Sequence, residues 1–226
     1  TLLAFQFGIH PKHPPRPIAF PKLTFSSPNS DWPALSIVTP NFNQGRFLAD
    51  VIQSVRTSSS HGVTHFVQDG GSTDNSVDEL QKLDYPGMVW ATESDDGQAD
   101  AINRGFACSS GEGSDMMAWI NADDTYVPGA LDLVREYFAE HPEVDLIYGN
   151  RIVIDEAGME INRWTLPEHD PEVLKLNDFI PQETMFWRRR LWTKIGGLNS
   201  NLQFAMDWDF LLRAQESEAN MVHLPE

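Results

Sequence analysis

The sequence predicts an α/β domain with a mostly parallel sheet and helices on both faces. Three observations predict it. Short apolar strands alternate with helical patterns from residue 35 to residue 141, which is the signature of βαβ units. The run Met116-Met117-Ala118-Trp119-Ile120 is apolar without alternation, as expected of a strand covered on both faces. Finally, Thr39, Asp69, Asp95 and Asp123 all stand just after strands. Right-handed crossovers put such loops on one edge of the sheet, and ligands of open α/β sheets bind outside the carboxyl ends of the strands. The four loops are therefore expected to meet at one crevice.

The elements follow in order. Residues 1–33 are irregular, with four prolines between His10 and Pro17 and three more at Pro21, Pro28 and Pro33. Such a stretch reads as an extended arm lying on the domain, and Phe5, Phe7, Phe20 and Phe25 suggest that part of it packs. Leu35–Thr39 is the first strand, ended by Pro40. Phe47, Leu48, Val51, Ile52 and Val55 recur at helical spacing and predict a helix over 46–57. Strands are expected at 64–68 and 88–91, and helices at 75–83 and 98–108. A strong helix is expected from Pro128 to His141. Beyond it the pattern predicts strands at 144–148, 151–155 and 159–165, and a short helix at 170–176 with Asp170 as cap and Pro171 at its first position. Further helices are expected at 188–195, ended by Gly196-Gly197, and at 207–215. The predicted organisation is an arm over 1–33 and a single domain over 34–226. Its nucleotide-binding half is 34–125 and its acceptor-side, catalytic half is 126–226.

Composition narrows the class. The chain has 226 residues with 41% hydrophobic content, enough for one sizeable core. Its formal charge of -17 makes a nucleic-acid backbone an unsuitable partner, because phosphate binding wants Lys and Arg. A phosphorylated ligand would need local positive charge or a bridging metal. The lone Cys108 excludes an intrachain disulfide and reads as a small buried apolar residue. There is no apolar run of 18 residues, hence no expected spanning helix. A cytoplasmic location is expected, with Arg188-Arg189-Arg190 as the one candidate for peripheral contact with phosphate on the inner face of a membrane. The chain starts at Thr1 and is expected to be a fragment of a longer protein.

The pair Asp123-Asp124 carries the chemistry. Adjacent carboxylates at the end of a buried strand repel each other and lose hydration, and a cation relieves both costs. Magnesium-type ions bind one or two carboxylates together with substrate phosphates. The competing reading is a turn and helix cap before Pro128.

These residues resemble the inverting glycosyltransferases of family 2, with the GT-A fold, over about Leu35 to Glu226. Five ordered motifs carry the likeness: Ser36–Asn43, Asp69-Gly70-Gly71-Ser72-Thr73-Asp74, Glu93–Gly97 with Asp100–Gly105, Trp119–Asp124, and Gly196–Leu198 with Met206–Arg213. The end of the chain, Val222–Glu226, resembles the strand before the family's later Arg-x-x-His region. The resemblance implies a Rossmann-like sheet with a C-terminal acceptor-side extension. It implies a nucleotide-sugar site at Thr39, Pro40, Asn41, Asn43, Asp69, Asp95, Arg104, Asn121 and Asp123, with Asp69 accepting a hydrogen bond from the base. It implies Asp124, with Asp123, as ligand of Mn²⁺ or Mg²⁺. Gln182 and Glu183 would contact the acceptor, and Asp207, favoured over Asp209, would be the general base. The implied partners are a nucleotide-sugar donor, expected to be a UDP-sugar, and a glycan or lipid-linked acceptor in cell-envelope polysaccharide synthesis. Two other functions compete: a nucleotide-sugar-binding domain without turnover, and a sugar-phosphate nucleotidyltransferase. The latter wants a basic Gly-rich loop after the first strand, and Pro40–Gly45 has no basic residue. Oligomeric state has no signature in the sequence.

Overall fold

The computed structural model describes residues 8–9, 12–20, 23, 31–59, 61–108 and 114–225. Phe5, Phe7 and Phe25 lie outside them. The described chain runs β1 (Gly8–Ile9), β2 (Ala34–Asn41), α1 (Gly45–Ser58), β3 (Val63–Asp69), α2 (Ser76–Leu83), β4 (Met88–Thr92), α3 (Gln98–Cys108), β5 (Ser114–Trp119) and α4 (Ala130–Glu140). It continues through β6 (Leu146–Gly149), β7 (Arg151–Ile154), β8 (Glu160–Thr165), α5 (Pro171–Leu174), β9 (Met185–Arg188), α6 (Arg189–Ile195), α7 (Met206–Glu216) and β10 (Met221–Leu224). The α/β class holds. Seven strands form the main sheet in the order β10-β6-β9-β5-β2-β3-β4. All neighbours are parallel except β9, which runs antiparallel to both β5 and β6.

Both faces of this sheet are covered, which explains the apolar strands. Leu35, Ile37, Met116 and Ala118 face α1, α2 and α4 through Leu48, Val51, Leu80, Leu131 and Phe138. Val38, Met117 and Trp119 face α3, α6 and α7 through Ile102, Phe106, Leu191 and Phe210. Trp187, on β9, packs edge-on against Trp119 at 5.2 Å and lies 4.9 Å from Phe210. It is therefore core, not a sugar platform. Each buried aromatic of this size removes a large apolar area from water, worth roughly 2–3 kcal/mol.

Several boundaries depart from the sequence pattern. β2 continues through Pro40 to Asn41. The missing N–H of Pro40 costs little there, because pairing with β5 has already stopped at Val38 and no ladder bond on that side is forfeited. The stretch 179–187 had no assigned element; it contains a 3-10 turn over Gln182–Thr184 and then β9. Cys108 is exposed at the end of α3, so the expected burial fails: α3 buries the stripe Ala99, Ala101, Ile102, Gly105 and Phe106 and leaves 108 off it.

A second sheet of order β1-β8-β7 brings the arm onto the domain. Glu160, fully buried, accepts from Arg16 Nη2 at 2.6 Å and from Arg163 Nε at 2.8 Å and Nη2 at 2.7 Å. These cations hold its carboxyl far below the usual range, against the effect of burial.

The arginine triplet is also structural. Arg188 Nη2 donates to Phe138 O and His141 O, Arg189 Nε to Ser114 O, and Arg190 Nε to Asp145 Oδ1. None of the three is a free helix-start cation. Among the described residues no helix is long and apolar enough to cross a membrane.

Arg135 of α4 is 1% exposed. It donates to Pro33 O at 2.9 Å and to His61 O at 2.6 Å, clamping the entries of β2 and β3. Replacement Arg135→Met removes both of these bonds from the buried clamp and its ion pair with Asp132. It is expected to lower unfolding free energy by about 3 kcal/mol in urea titrations, without altering ligand binding at the opposite edge.

Candidate functional site

The parallel register of β5, β2, β3 and β4 brings their carboxyl ends together. Outside them lies a crevice of about 580 Å³, within the range of ordinary ligand sites. Pro40, Asn41, Phe42, Gly70, Asp95, Asn121 and Asp123 line it. Five of these were expected at a nucleotide site. Asn121 Oδ1 accepts from Gln98 Nε2 at 2.6 Å, which joins the β5 loop to the start of α3. Phe42 and Gly70 were not singled out. Phe42 is 61% exposed at the crevice, and the signal in the sequence was an aromatic inside the otherwise polar loop 41–45.

Other expected site residues hold the loops and do not line the crevice. Thr39 is fully buried, with Oγ1 2.8 Å from His65 Nε2. Asn43 takes a left-handed backbone (φ 54°), and its Oδ1 accepts from Thr73 N at 2.8 Å. Arg104 pairs with Asp100 at 2.7 Å and Glu93 at 3.5 Å, and donates to Ser94 O at 3.0 Å.

Asp69 departs most from expectation. Its residue is 0% exposed. Oδ1 accepts from Asn41 Nδ2 at 2.6 Å and Ser72 Oγ at 2.5 Å. Oδ2 accepts from Thr92 Oγ1 at 2.6 Å, Ser72 N at 3.0 Å and Gly71 N at 3.2 Å. Burial raises its carboxyl, but the donors of Ser72, Thr92 and Asn41 outweigh this and hold it below its ordinary value. A carboxylate offers about four lone-pair sites, and all are taken. Asp69 thus anchors the loop, with five donors on its two oxygens.

Asp123 lines the crevice and also an adjoining cavity of about 370 Å³. Asp124 lines only the second, beside Tyr126, Arg151 and Glu183. Burial, then the charges of Glu183 and Asp123, push the Asp124 carboxyl up to about 7, although Arg151 and Asn121 pull the other way. Glu183 is ion-paired with Arg151 at 2.7 Å. The Tyr126 hydroxyl is buried without a partner. Among the described residues no group of three or more His, Cys, Asp or Glu could hold a metal by itself. The donors fit a hard cation that takes one or two carboxylates and completes its shell with phosphate oxygens and water. The uncompensated burial of Asp124 is the observation that favours such an ion.

Gln182 is 8% exposed and its Nε2 donates to Trp119 O at 2.7 Å, tying the 3-10 turn to the end of β5. That bond ties the Gln182 amide nitrogen to the frame, its Oε1 is buried without a partner, and Glu183 lines the second cavity. On α7 the two acids divide. Asp209 is held by Arg213 through Nε at 2.8 Å and Nη2 at 2.7 Å. Asp207 Oδ1 accepts only from Trp208 N, at 3.0 Å. α7 is followed by β10, parallel to β6. An 11-residue helix spans about 16 Å, so its first turn stands at the carboxyl edge of the sheet. Trp208 Nε1 donates to Leu174 O at 2.7 Å, which fastens this turn to the segment leading to Asp178. Burial and the charge of Asp207 push the Asp178 carboxyl up to about 6. Asp178 had no signal in the sequence.

With this geometry in view, similar proteins are informative. Residues 36–206 match the family described as glycosyl transferase family 2. An uncharacterized glycosyltransferase of Mycobacterium tuberculosis is 29% identical over 187 residues, 80% of this chain and 69% of the relative. A PGL/p-HBAD biosynthesis glycosyltransferase of Mycobacterium bovis is 28% identical over 192 residues, 83% of this chain and 72% of the relative. The mannosyltransferase PcManGT from Pyrobaculum calidifontis, solved with GDP-Man and Mn²⁺, superposes with a TM-score of 0.66 at 16% identity, covering 91% of this chain. TarS 1–349 of S. aureus, solved with UDP-GlcNAc, gives 0.64 at 16% identity and 85% coverage. The chain spans 59% and 56% of the lengths of these two solved chains. The fold is thus the GT-A fold.

The raised carboxyl of Asp124 sets a pH dependence. Ionising it in the metal-free protein costs free energy, because its pKa rises from 3.8 to about 7 on folding. That cost is absent below the unfolded value and complete above the folded one. Asp124→Asn is therefore expected to stabilise the metal-free protein by about 2 kcal/mol at pH 8, discounted for partial exposure, and by less at pH 5. Urea titrations at the two pH values check this; a gain that does not change with pH contradicts it.

Proposed function

Because the chain belongs to glycosyl transferase family 2, we propose that it transfers a sugar from a nucleoside-diphosphate donor to an acceptor hydroxyl, with inversion, in a single displacement. The observation that carries this reading is the arrangement along one sheet edge. A crevice of donor size ends at Asp123, a half-buried carboxyl pushed up to about 7 follows at Asp124, and Asp207 stands at the same edge with neither oxygen ion-paired.

In this reading the crevice between Phe42 and Asp95 receives the nucleoside, with Phe42 stacking on the base. The diphosphate lies toward Asp123 and Asp124. Mn²⁺ or Mg²⁺ held at Asp124, with Asp123, neutralises charge on the leaving diphosphate when bound. Asp207 accepts the proton of the attacking hydroxyl. The new bond joins that oxygen to the anomeric carbon; the bond from this carbon to the phosphate oxygen breaks, and the nucleoside diphosphate leaves with the electron pair. No covalent sugar–protein intermediate is needed.

The acceptor side supports a glycan or lipid-linked hydroxyl. The two most exposed large apolar side chains among the described residues are Phe204 (86%) and Leu176 (84%). Phe204 lies three residues before Asp207, and Leu176 two residues beyond the Leu174 carbonyl that holds Trp208. An apolar rim beside a base suits an acceptor with a greasy portion. The Mycobacterium bovis relative, a PGL/p-HBAD biosynthesis glycosyltransferase, also supports this reading.

Asp207→Asn separates binding from chemistry. It is expected to leave nucleotide affinity within about twofold and to reduce turnover by about 10²–10⁴-fold, measured with radiolabelled UDP-sugars and GDP-mannose against a panel of glycoside and polyprenyl-linked acceptors. Asp209→Asn is expected instead to lower stability through the lost Arg213 pair. Full turnover in Asp207→Asn contradicts the assigned base.

A further inference from the structure

We propose that the cavity beside Asp124 is a second binding site, for an uncharged amphiphile: a hydrocarbon chain carrying a hydroxyl or ether oxygen. The inference stands apart from the nucleotide-sugar reading. Among the described residues, the cavity shares only Asp123 with the crevice.

The first observation is the cavity and its walls. Its volume of about 370 Å³ is within the range of ordinary ligand sites. Leu133 and Val134 of α4, Ile147 of β6, Ile152 of β7, Phe186 of β9 and Ile18 of the arm line it. The arm is fastened to the second sheet by Arg16, whose Nη2 donates to Glu160 of β8 at 2.6 Å. Apolar side chains from five separate segments thus border one space. Water makes few hydrogen bonds against such walls, whereas a hydrocarbon chain placed there leaves an unfavourable contact with water.

The second observation is a pair of donors left without acceptors at the same cavity. Tyr126 lines it and is only 9% exposed, and its hydroxyl is buried with no hydrogen bond. Trp164 lines it too, and its Nε1 is likewise buried with no hydrogen bond. A buried donor without a partner carries a desolvation cost that nothing offsets. An oxygen brought in by a ligand removes that cost by accepting from either group. An apolar wall with a few placed polar atoms is the usual make-up of a small-molecule site.

The third observation is charge, which decides the kind of head group. Asp123, Asp124 and Glu183 line the cavity, as do Arg151 and Arg163. Both cations are committed. Arg151 Nε pairs with Glu183 at 2.7 Å, and its guanidinium lies 4.6 Å from the centre of the Trp164 ring. Arg163 pairs with Glu160 at 2.7 Å. An anionic head would therefore meet three acids and two cations already neutralised. A cationic head has no lone pair to offer Trp164 Nε1, which can only donate. An uncharged oxygen avoids both conflicts and keeps its chain on the apolar wall.

The test is calorimetric titration of the full chain with 1-octanol and, separately, with octyl β-glucoside below its micelle concentration. The wild type is expected to bind saturably, with one molecule per chain. Leu133→Trp, which fills the cavity from α4, is expected to weaken that binding about tenfold or more, because the chain loses its apolar contacts. It is expected to leave UDP affinity in Mn²⁺ within about twofold, since position 133 is no part of the crevice. Ile152→Trp fills the cavity from β7 and decides the matter if Leu133→Trp fails to fold. Tyr126→Phe is expected to weaken binding about three- to tenfold. The melting temperature of the unliganded variant is expected not to fall, because the hydroxyl removed had no partner. The second compound separates two sources of such a chain. Tighter binding of octyl β-glucoside than of 1-octanol marks the apolar part of a glycosylated acceptor; equal or weaker binding marks a free lipid alcohol. No saturable binding of either compound overturns the assignment, and so does binding that is unchanged in the filled variants or in Tyr126→Phe. Failure of the wild type to bind UDP would count against the nucleotide-sugar reading alone.

Discussion

The buried carboxylate of Asp69 is the interaction on which the site depends. It takes hydrogen bonds from β2 through Asn41, from the β3 loop through Gly71 and Ser72, and from the end of β4 through Thr92. Three strand ends are thereby fixed to one pair of oxygens. Charge-assisted bonds of this kind are roughly twice as strong as neutral ones, and here each replaces a water that could not follow the carboxylate inside. Everything at the nucleotide end follows from this knot. It orients Asn41 and Gly70 along the crevice wall, where the Asp95 carboxylate packs against Gly70.

The other half of the site depends on the opposite condition, a carboxylate left without enough partners. Asp124 lies between Asp123 and Glu183, with the Arg151 guanidinium committed to Glu183. Carboxyls perturbed in this way gather at functional positions. The two acids of the chain's central constellation also face different spaces. Asp123 borders the donor crevice and the apolar cavity, and Asp124 only the latter. Asp207 stands at the start of α7, which packs on the same face of the sheet as α3.

Much of this was legible in residues. The apolar run at 116–120 and the alternation of strands and helices foretold a sheet covered on both faces, because burial on two sides removes the polar positions that mark a one-sided strand. The convergence of the strand-end loops followed from crossover handedness alone. What escaped was orientation. Asp69 and Asp95 look equivalent as acids after strands, but one is held in a knot of donors and the other lines the crevice beside Gly70. No spacing rule encodes that choice. The same holds for Thr39, Asn43, Arg104 and Gln182, whose polar ends meet partners from distant segments: His65, Thr73, Asp100 and Trp119. β9 was missed because four residues between a 3-10 turn and a helix are too few to show a period. Asp207 was already favoured over Asp209 from the motif, and the pairing of Asp209 with Arg213 separates the two acids further.

The central claim is that the strand-end crevice holds a nucleoside diphosphate through a divalent cation at Asp124. It is tested most directly by titrating the purified chain with UDP and with GDP, first with Mn²⁺ and then with EDTA, in the wild type and in Asp124→Ala. The account predicts saturable binding in Mn²⁺ that weakens at least tenfold in EDTA and does not respond to Mn²⁺ in Asp124→Ala. Binding of equal strength with EDTA, or a full Mn²⁺ response in Asp124→Ala, would contradict it.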